Sequence, residues 1–437
     1  MDMLIFIVAL LILMFLIYRG KNIIFVVPII LVSIILLTRQ TASLPDYSIT
    51  YFLGMIDFII TNALLFFLGV LFGAVISATK IAEQMAQYLI NKLGHKYVIL
   101  ALVLLTNAMM LGGISGFIII FTMFPIANHV FTTMNIPKRF IFGLIAVAMA
   151  TYMIGTFPGS LQVQNILPIA FLDSSIFSGW QIGIPLTVYL FITGYSYLIW
   201  RIKKAVQDNH QPVIAVSKIK MSGLKLFAPL ITVFLANLVF SLWIMPLFDL
   251  SNHQRTLYSI NSALALGIVL TLLFSKTKVD IVNVLYRSAL MALKPLLFVG
   301  TTVGFGLVIS QMPFLEVTKA SLLSLHPLYS LPLSVAMFAA ISGSATGGLA
   351  IAFPFLGEPF LERVALESVS HDSLHRLALM SSVTIDTLPT NGTTLTMLKV
   401  TGLNYKDIYL DYFIITVLNT TIALGIGIFL VMIFSIL

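Results

Sequence analysis

The chain has 437 residues, 59% of them apolar and only 9% charged, which is more apolar surface than a water-soluble core can hide, so its solvent is lipid. Its formal charge of +8 does not point to a nucleic-acid partner, because the basic residues fall in short connections between apolar runs and report membrane orientation instead. The absence of cysteine excludes a disulfide framework, thiolate catalysis and thiolate metal sites.

The chain opens Met1-Asp2-Met3 with no basic stretch ahead of its first apolar run, which ends at Tyr18-Arg19-Gly20-Lys21 without a small-residue cleavage site. This pattern predicts a retained first span rather than a cleaved signal. A helix needs about 20 apolar residues to cross a hydrocarbon core of ~30 Å. Runs of that kind lie at 3–18, 22–38, 51–78, 139–172, 180–200, 223–247, 257–275, 288–312, 373–403 and 407–437. Between them, Lys80 to Lys96 sets Glu83, Gln84, Gln87 and Asn91 opposite Ile81, Met85, Leu89 and Leu93, the pattern of an amphipathic interfacial helix. Two further stretches, 97–137 and 327–357, hold no Lys, Arg, Asp or Glu and carry a Gly/Ser/Thr cluster near the middle. They read as re-entrant hairpins over 97–131 and 327–361, since irregular backbone at membrane depth is tolerated only where protein or a cavity surrounds it.

The hydrophilic segment 201–225 reads as a linker. With it in the cytoplasm, all but five of the 24 Lys and Arg residues fall on its side; Arg39, Arg255, Lys319, Arg363 and Arg376 fall on the other. That bias predicts a multi-pass protein of the cell (inner) membrane with both termini outside. Five spans per half is an odd number, so the second half must enter from the opposite face. The expected fold is an all-α polytopic membrane protein of two inverted repeats, 1–200 and 226–437, each with five spans, one re-entrant hairpin and a broken helix (139–172 and 373–403).

Two motif pairs support the repeat. Gly112-Gly113-Ile114-Ser115-Gly116 matches Gly343-Ser344-Ala345-Thr346-Gly347, and Thr156-Phe157-Pro158-Gly159-Ser160 matches Thr387-Leu388-Pro389-Thr390-Asn391, both at an offset of 231 residues. Phe124-Pro125 and Phe353-Pro354 are offset by 229, which implies a small length difference in one hairpin arm. Prolines 158 and 389 each remove a backbone donor and open the preceding turn, and the glycines beside them permit unusual angles. Half-helix N-termini at such breaks carry unpaired N–H groups and partial positive charge, which suits a carboxylate. The expected substrate-binding set is Gly113, Ser115, Thr156, Gly159, Ser160, Ser342, Ser344, Thr346, Thr387, Thr390, Asn391 and Thr393. The alternative is that the paired glycines are GxxxG packing motifs and the prolines are kinks.

Asp386 lies directly before Thr387-Leu388-Pro389 in an apolar span, where an aspartate costs roughly 2.5–3.5 kcal/mol unless paired or hydrated. It is the expected coupling-ion residue, binding a proton or sodium; the alternative is a structural hydrogen bond. The first half has Gly155 at the matching position. Asp57 is a second embedded acid nearer the outer end of its span, and His129 reads as interfacial. His371, Asp372 and His375 open the ninth span; their i, i+4 histidines lack a third ligand, so they read as a solvated helix start rather than a metal site. No Ser/His, paired-His or dicarboxylate constellation points to an enzyme, and no cofactor is expected.

Three stretches together carry a resemblance: Ser342-Gly343-Ser344-Ala345-Thr346-Gly347-Gly348-Leu349-Ala350-Ile351-Ala352, Asp386-Thr387-Leu388-Pro389-Thr390-Asn391-Gly392, and Val400-Thr401-Gly402-Leu403-Asn404-Tyr405-Lys406-Asp407. They resemble the gluconate permease (GntP) family over about residues 341–420, closest to the branch with Asp-Thr-Leu-Pro-His-Asn-Gly at the second break. The resemblance implies uptake of a sugar acid or short hydroxy acid by proton symport, on the elevator-type ion-transporter superfamily fold, as a homodimer. Thr390 departs from the histidine usual in that branch and removes a partner for a carboxylate. Sodium coupling, or sodium/proton antiport on the same scaffold, is the alternative.

Overall fold

The computed structural model describes residues 2–19, 21–81, 84–85, 88, 91–92, 97–111, 116–206, 222–275, 279–387 and 391–434. Among these the regular structure is helical, without strands, as the composition requires. Five helices are long and apolar enough to cross a membrane, Thr41–Ile76, Trp180–Ala205, Gly223–Leu247, Leu257–Phe274 and Tyr405–Ile433, and shorter apolar helices stand among them. Large apolar side chains such as Phe25, Ile60, Leu224 and Leu273 face outward, more than half exposed. In water such a surface would aggregate; against lipid it is the expected exterior. The protein is a helical membrane protein.

Helices α1 (Asp2–Tyr18) and α2 (Ile23–Leu37) pack as a pair, α2 also lying against the later helix Ile281–Ser310, and α3 (Leu44–Ala78) follows. Next come α4 (Val98–Leu111) and α5 (Gly116–Thr133), the arms of the first expected hairpin. Its expected tip, including Gly113 and Ser115, lies outside the described residues, as do Leu388, Pro389 and Thr390 of the second break. Within 80–96, the described Ile81 and Met85 are buried.

The first broken helix begins as α6 (Phe140–Val147), continues through a π-helical turn at Ala148–Tyr152 and a last turn at Met153–Gly155, and then stops. After the break a short turn at Val163–Asn165 leads into α7 (Leu167–Leu172). Helix α8 (Trp180–Ala205) closes the first half and overruns the expected start of the linker; α9 (Gly223–Val239) begins before its expected end, and 207–221 lie outside the described residues.

The chain continues with α10 (Asn252–Phe274), α11 (Ile281–Ser310) and α12 (Pro313–Ser324). A helical hairpin follows, α13 (Pro327–Ser342) turning at Gly343 and Ser344 into α14 (Ala345–Leu366). The second broken helix is α15 (His371–Ser382) and, past the break, α16 (Gly392–Thr401). Helices α17 (Tyr405–Phe413) and α18 (Asn419–Phe434), joined by a π-helical turn at Ile414–Leu418, end the fold.

Two long pairings organise the core. Helices α3 and α11 run antiparallel: Thr50 reaches Gln311, Tyr51 Oη lies 2.8 Å from Thr301 Oγ1, and Met55 lies against Gly300. The backbones approach so closely that a Cβ at Gly304 would sit 2.4 Å from the Tyr51 carbonyl oxygen, so packing of small residues, not hydrophobic burial, joins these helices in lipid. Helices α8 and α18 also run antiparallel, with Leu186 near Gly427 and Thr193 Oγ1 donating to Asn419 Oδ1 at 3.0 Å. Further along, Arg201 pairs with Asp411, which also accepts from Tyr197 Oη at 2.8 Å.

Candidate functional site

The first break is built by its own sequence. Gly159 adopts φ +77, and its amide donates to the Ile176 carbonyl at 2.9 Å. A Cβ there would strike the Phe177 ring at 2.5 Å, so position 159 needs glycine for both its backbone angle and its neighbour. Asn165 Nδ2 donates to the carbonyls of Ser160 and Ile176, both at 2.9 Å, which stitches the open segment into a closed loop. Thr156 Oγ1 meets Thr187 Oγ1 of α8 at 2.7 Å. The extended backbone at Gln162 then brings Gln162, Val163 and Gln164 to the centre of the protein.

The second break and the hairpin tip arrive from the other side. Thr387 Oγ1 lies 2.7 Å from Thr416 Oγ1, and its carbonyl accepts from Tyr405 Oη at 3.2 Å. Asn391 caps α16 by accepting from the Thr394 amide at 2.8 Å, and its Nδ2 lies 3.5 Å from Asp386 Oδ2. At the hairpin tip Ser344 Oγ accepts from the Gly347 amide at 3.3 Å and caps α14, while Ser342 Oγ donates back to the Phe338 carbonyl at 2.8 Å.

These pieces enclose a cavity of about 150 Å³. That is the liquid volume of roughly five waters, which suits a small solute. The lining includes Gln162 and Gln164 from the first break, Gly343 to Thr346 from the hairpin tip, and Asp386, Thr387, Asn391, Gly392 and Thr393 from the second break. Gly116, the first residue of α5, also lines it, with Leu65, Phe66 and Met149 on the apolar side. The N-terminal ends of α14 and α16 therefore open on one space. Each terminus has N–H groups without an intrahelical acceptor and about half a positive charge.

Asp386 is the one carboxylate on that lining. It is 7% exposed, and its Oδ1 is buried without a hydrogen-bond partner. Of the residues expected from sequence, Ser344, Thr346, Asp386, Thr387, Asn391 and Thr393 line the cavity. Thr156, Gly159, Ser160 and Ser342 stand behind it and shape the backbone, Ser160 with its hydroxyl buried and unpartnered. Asp57 is exposed on α3, away from the lining. Sequence reasoning missed Gln162 and Gln164; the available signal was two amides in an apolar run just past Pro158-Gly159. Gln164 Nε2 donates to Thr346 Oγ1 at 2.9 Å and so bridges the first break to the hairpin of the other half.

One expectation holds only for the first residues. His371 and Asp372 at the very start of α15 are exposed, but His375 and Arg376, one turn on, are fully buried, so Arg376 is not an outer loop charge. Arg376 donates from Nε and Nη2 to the Ser178 carbonyl at 3.1 and 2.6 Å, from Nη2 to the Ile176 carbonyl at 3.3 Å, and from Nη1 to the Phe157 carbonyl at 3.4 Å. His375 Nδ1 lies 2.7 Å from Ser174 Oγ and Nε2 2.9 Å from Asn165 Oδ1, while His371 Nδ1 lies 2.7 Å from the Leu172 carbonyl. The 173–179 loop folds against the first turns of the helix and supplies hydrogen-bond partners to His375 and Arg376. No group of three or more His, Asp or Glu side chains able to hold a metal occurs among the described residues.

No family model matches the sequence. The chain is 30% identical, over an alignment of 456 residues, to the uncharacterized transporter YxjC of Bacillus subtilis (strain 168), covering 96% of this chain and 97% of that protein. Identity of that level along both whole chains leaves no separate segment of either protein to account for the match, and the chain belongs to the same transporter family as YxjC.

Proposed function

We propose that the protein is a secondary active transporter that takes up a small organic anion, a gluconate-like sugar acid or a short hydroxy acid, by proton symport through alternating access. The observation that carries this reading is the convergence of two helix N-termini, those of α14 and α16, and the buried Asp386 carboxylate, with its Oδ1 unpartnered, on one small cavity. The termini favour a negative solute, the amides of Gln162, Gln164 and Asn391 and the hydroxyls of Ser344, Thr346 and Thr393 suit its oxygens, and Asp386 carries the coupling proton. The likeness of 341–420 to the gluconate permease family points to the same solute class.

Two inverted repeats, 1–200 and 226–437, joined by a cytoplasmic linker at 201–225, give this site its two-sided access. The third long helices of the two halves, α3 and α11, pair antiparallel, as do the closing elements α8 and α18. The break threonines also behave alike, Thr156 meeting Thr187 and Thr387 meeting Thr416, each at 2.7 Å. Movement of the hairpins and broken helices against the α3/α11 scaffold is the elevator reading, in a homodimer of the inner membrane with both termini outside. Sodium in place of the proton is the second reading, favoured by the oxygen-rich lining around Asp386.

Proteoliposomes holding the purified protein test this with labelled gluconate and 3-hydroxybutyrate under imposed proton or sodium gradients. Uphill accumulation driven by the inward proton gradient, lost in Asp386→Asn, is the expected result. Dissipation of the ion gradients with no organic anion moving would replace it with sodium/proton antiport. Full accumulation by Asp386→Asn would remove Asp386 from the coupling role.

A further inference from the structure

The charges around the cavity do not balance for an anion alone. No Lys, Arg or His occurs among the described lining residues, and the sequence stretches 112–115 and 388–390 contain none. Among the described residues, the fixed positive charge therefore comes from the N-terminal ends of α14 and α16, together roughly +1 elementary charge at about half a charge each. Ser344 and Asn391 each occupy only one of the free N–H groups at their own terminus, so donors remain for a solute. Against this stands Asp386, with Oδ1 buried and unpartnered. The titratable groups nearest it are phenols of α17, Tyr412, which feels its charge, and Tyr405, which donates to the Thr387 carbonyl; α3, α6, α13 and α14 contribute no ionisable side chain to the lining.

An ionised Asp386 in the empty cavity is thus covered by the helix ends. A monoanion added beside it brings the negative charge to two, more than roughly +1 can offset in a low-dielectric space. A cation on Asp386 returns the balance to one negative charge facing the helix ends. A dianion exceeds it even then.

Building on the reading of Asp386 as the coupling residue, we infer that the cavity takes its organic anion only together with a cation on Asp386, as a charge-matched pair, and that it admits monoanions and rejects dianions. Each ligand raises the other's affinity by the same factor, because coupling between sites on one protein is reciprocal. Uncoupled leak is thereby suppressed without a separate gate: neither the cation-free anion complex nor an anion-free protonated site is favoured over the paired state.

The test measures equilibrium binding of labelled gluconate to purified protein, with no gradient present, across pH and sodium concentration. For the wild type, affinity falls about tenfold per pH unit on the alkaline side when one proton is taken up with the anion; dependence on sodium at fixed pH identifies sodium as the partner instead. In Asp386→Asn, gluconate affinity is expected to be flat in pH and sodium, with ion-driven accumulation lost. Glucarate, the same carbon chain with a second carboxylate, is expected to compete at least about a hundredfold more weakly than gluconate, the effect of a few kcal/mol of unbalanced charge. Wild-type binding that ignores both ions, glucarate competing as well as gluconate, or gluconate affinity that keeps its wild-type ion dependence in a monodisperse Asp386→Asn protein would each overturn the inference. If the wild type moves no organic anion at all, the parent reading falls and this one with it. Wild-type transport with ion-independent binding overturns the charge-pair inference alone.

Discussion

Asn165 and His375, 210 residues apart in sequence, share a buried hydrogen bond of 2.9 Å between Oδ1 and Nε2. Asn165 Nδ2 is committed to the carbonyls of Ser160 and Ile176, so its Oδ1 must accept, and His375 Nε2 carries the proton. The other ring nitrogen then accepts from Ser174 Oγ at 2.7 Å. His375 therefore holds the loop that presents Gln162 and Gln164 to the cavity. In His375→Ala, Asn165 Oδ1 and Ser174 Oγ lose a partner in a site without water, at roughly 1–3 kcal/mol for each orphan. The expected outcome is a lower melting temperature in detergent together with weaker solute affinity. His375→Gln, whose amide can both donate and accept, recovers part of each. A His375→Ala protein as stable as the wild type would mean that the network holds nothing.

Arg376 makes a different demand on the same loop. Its guanidinium is fully buried and satisfied by the carbonyls of Ser178, Ile176 and Phe157, which belong to the 173–179 loop and the first break. A lysine ammonium is a compact point charge that lacks the fork with which Arg376 reaches three separate carbonyls, so Arg376→Lys should not rescue Arg376→Met. Removing the guanidinium strands the Ser178 and Phe157 carbonyls, while Ile176 keeps Gly159 and Asn165 as donors. A loss of about 2–4 kcal/mol is expected for Arg376→Met, and at least as much for Arg376→Lys, which retains a buried charge with fewer bonds. Thermal unfolding of the two variants side by side checks the order; Lys restoring wild-type stability would contradict it.

The contrast between Asp386 and Arg376 explains what the sequence could and could not disclose. Asp386 stood out because a carboxylate in an apolar run is costly wherever the rest of the chain goes. The breaks stood out for a similarly local reason, since Pro158, Pro389 and their neighbouring glycines limit the backbone in place. Arg376 sits four residues after Asp372, at the start of a helix capped by Ser370, which reads locally as a water-facing end. Its burial is decided by a loop about 200 residues earlier, and no periodicity or spacing near Arg376 encodes that contact. Gln162 and Gln164 escaped notice for another reason: neutral amides carry no charge signal, and their direction follows from the extended backbone after Gly159. The pairing of α3 with α11 was equally silent, because glycines at 54, 300 and 304 are common in membrane helices and mark an interface only once the partner is known.

Gln164 gives a sharper probe of the cavity's charge than any truncation. Its Nε2 donates to Thr346 Oγ1 at 2.9 Å and it lines the same space as Asp386. Gln164→Glu is nearly isosteric but adds a second carboxylate to a site already balanced against its helix ends. Like charges sharing one small cavity at an effective dielectric of about 20 repel by a few kcal/mol. Gluconate uptake should fall by about two to three orders of magnitude, with partial recovery at acid pH as the new carboxylate takes up a proton. Gln164→Leu loses only the bridge to Thr346 and is expected to cost roughly tenfold, with no such recovery. Uptake kinetics at two pH values separate the two variants; equal losses without pH dependence would show that charge is not what the substitution changed.

The antiparallel pairing of α3 and α11 makes the orientation of the halves testable in intact cells. Thr50, near the start of α3, reaches Gln311, just past the end of α11, so the two helices begin on opposite sides of the membrane. The charge bias places the start of α3 outside and the start of α11 in the cytoplasm. The chain has no cysteine, so one introduced thiol is a unique label site. Ala42, just before α3, and Asp280, just before α11, are both exposed. A membrane-impermeant maleimide added to whole cells should label Ala42→Cys at once and Asp280→Cys only after the membrane is permeabilised. Labelling of both from outside would mean that the halves enter from the same face. The site would then lose the two-sided access that alternating transport requires, whatever its chemistry.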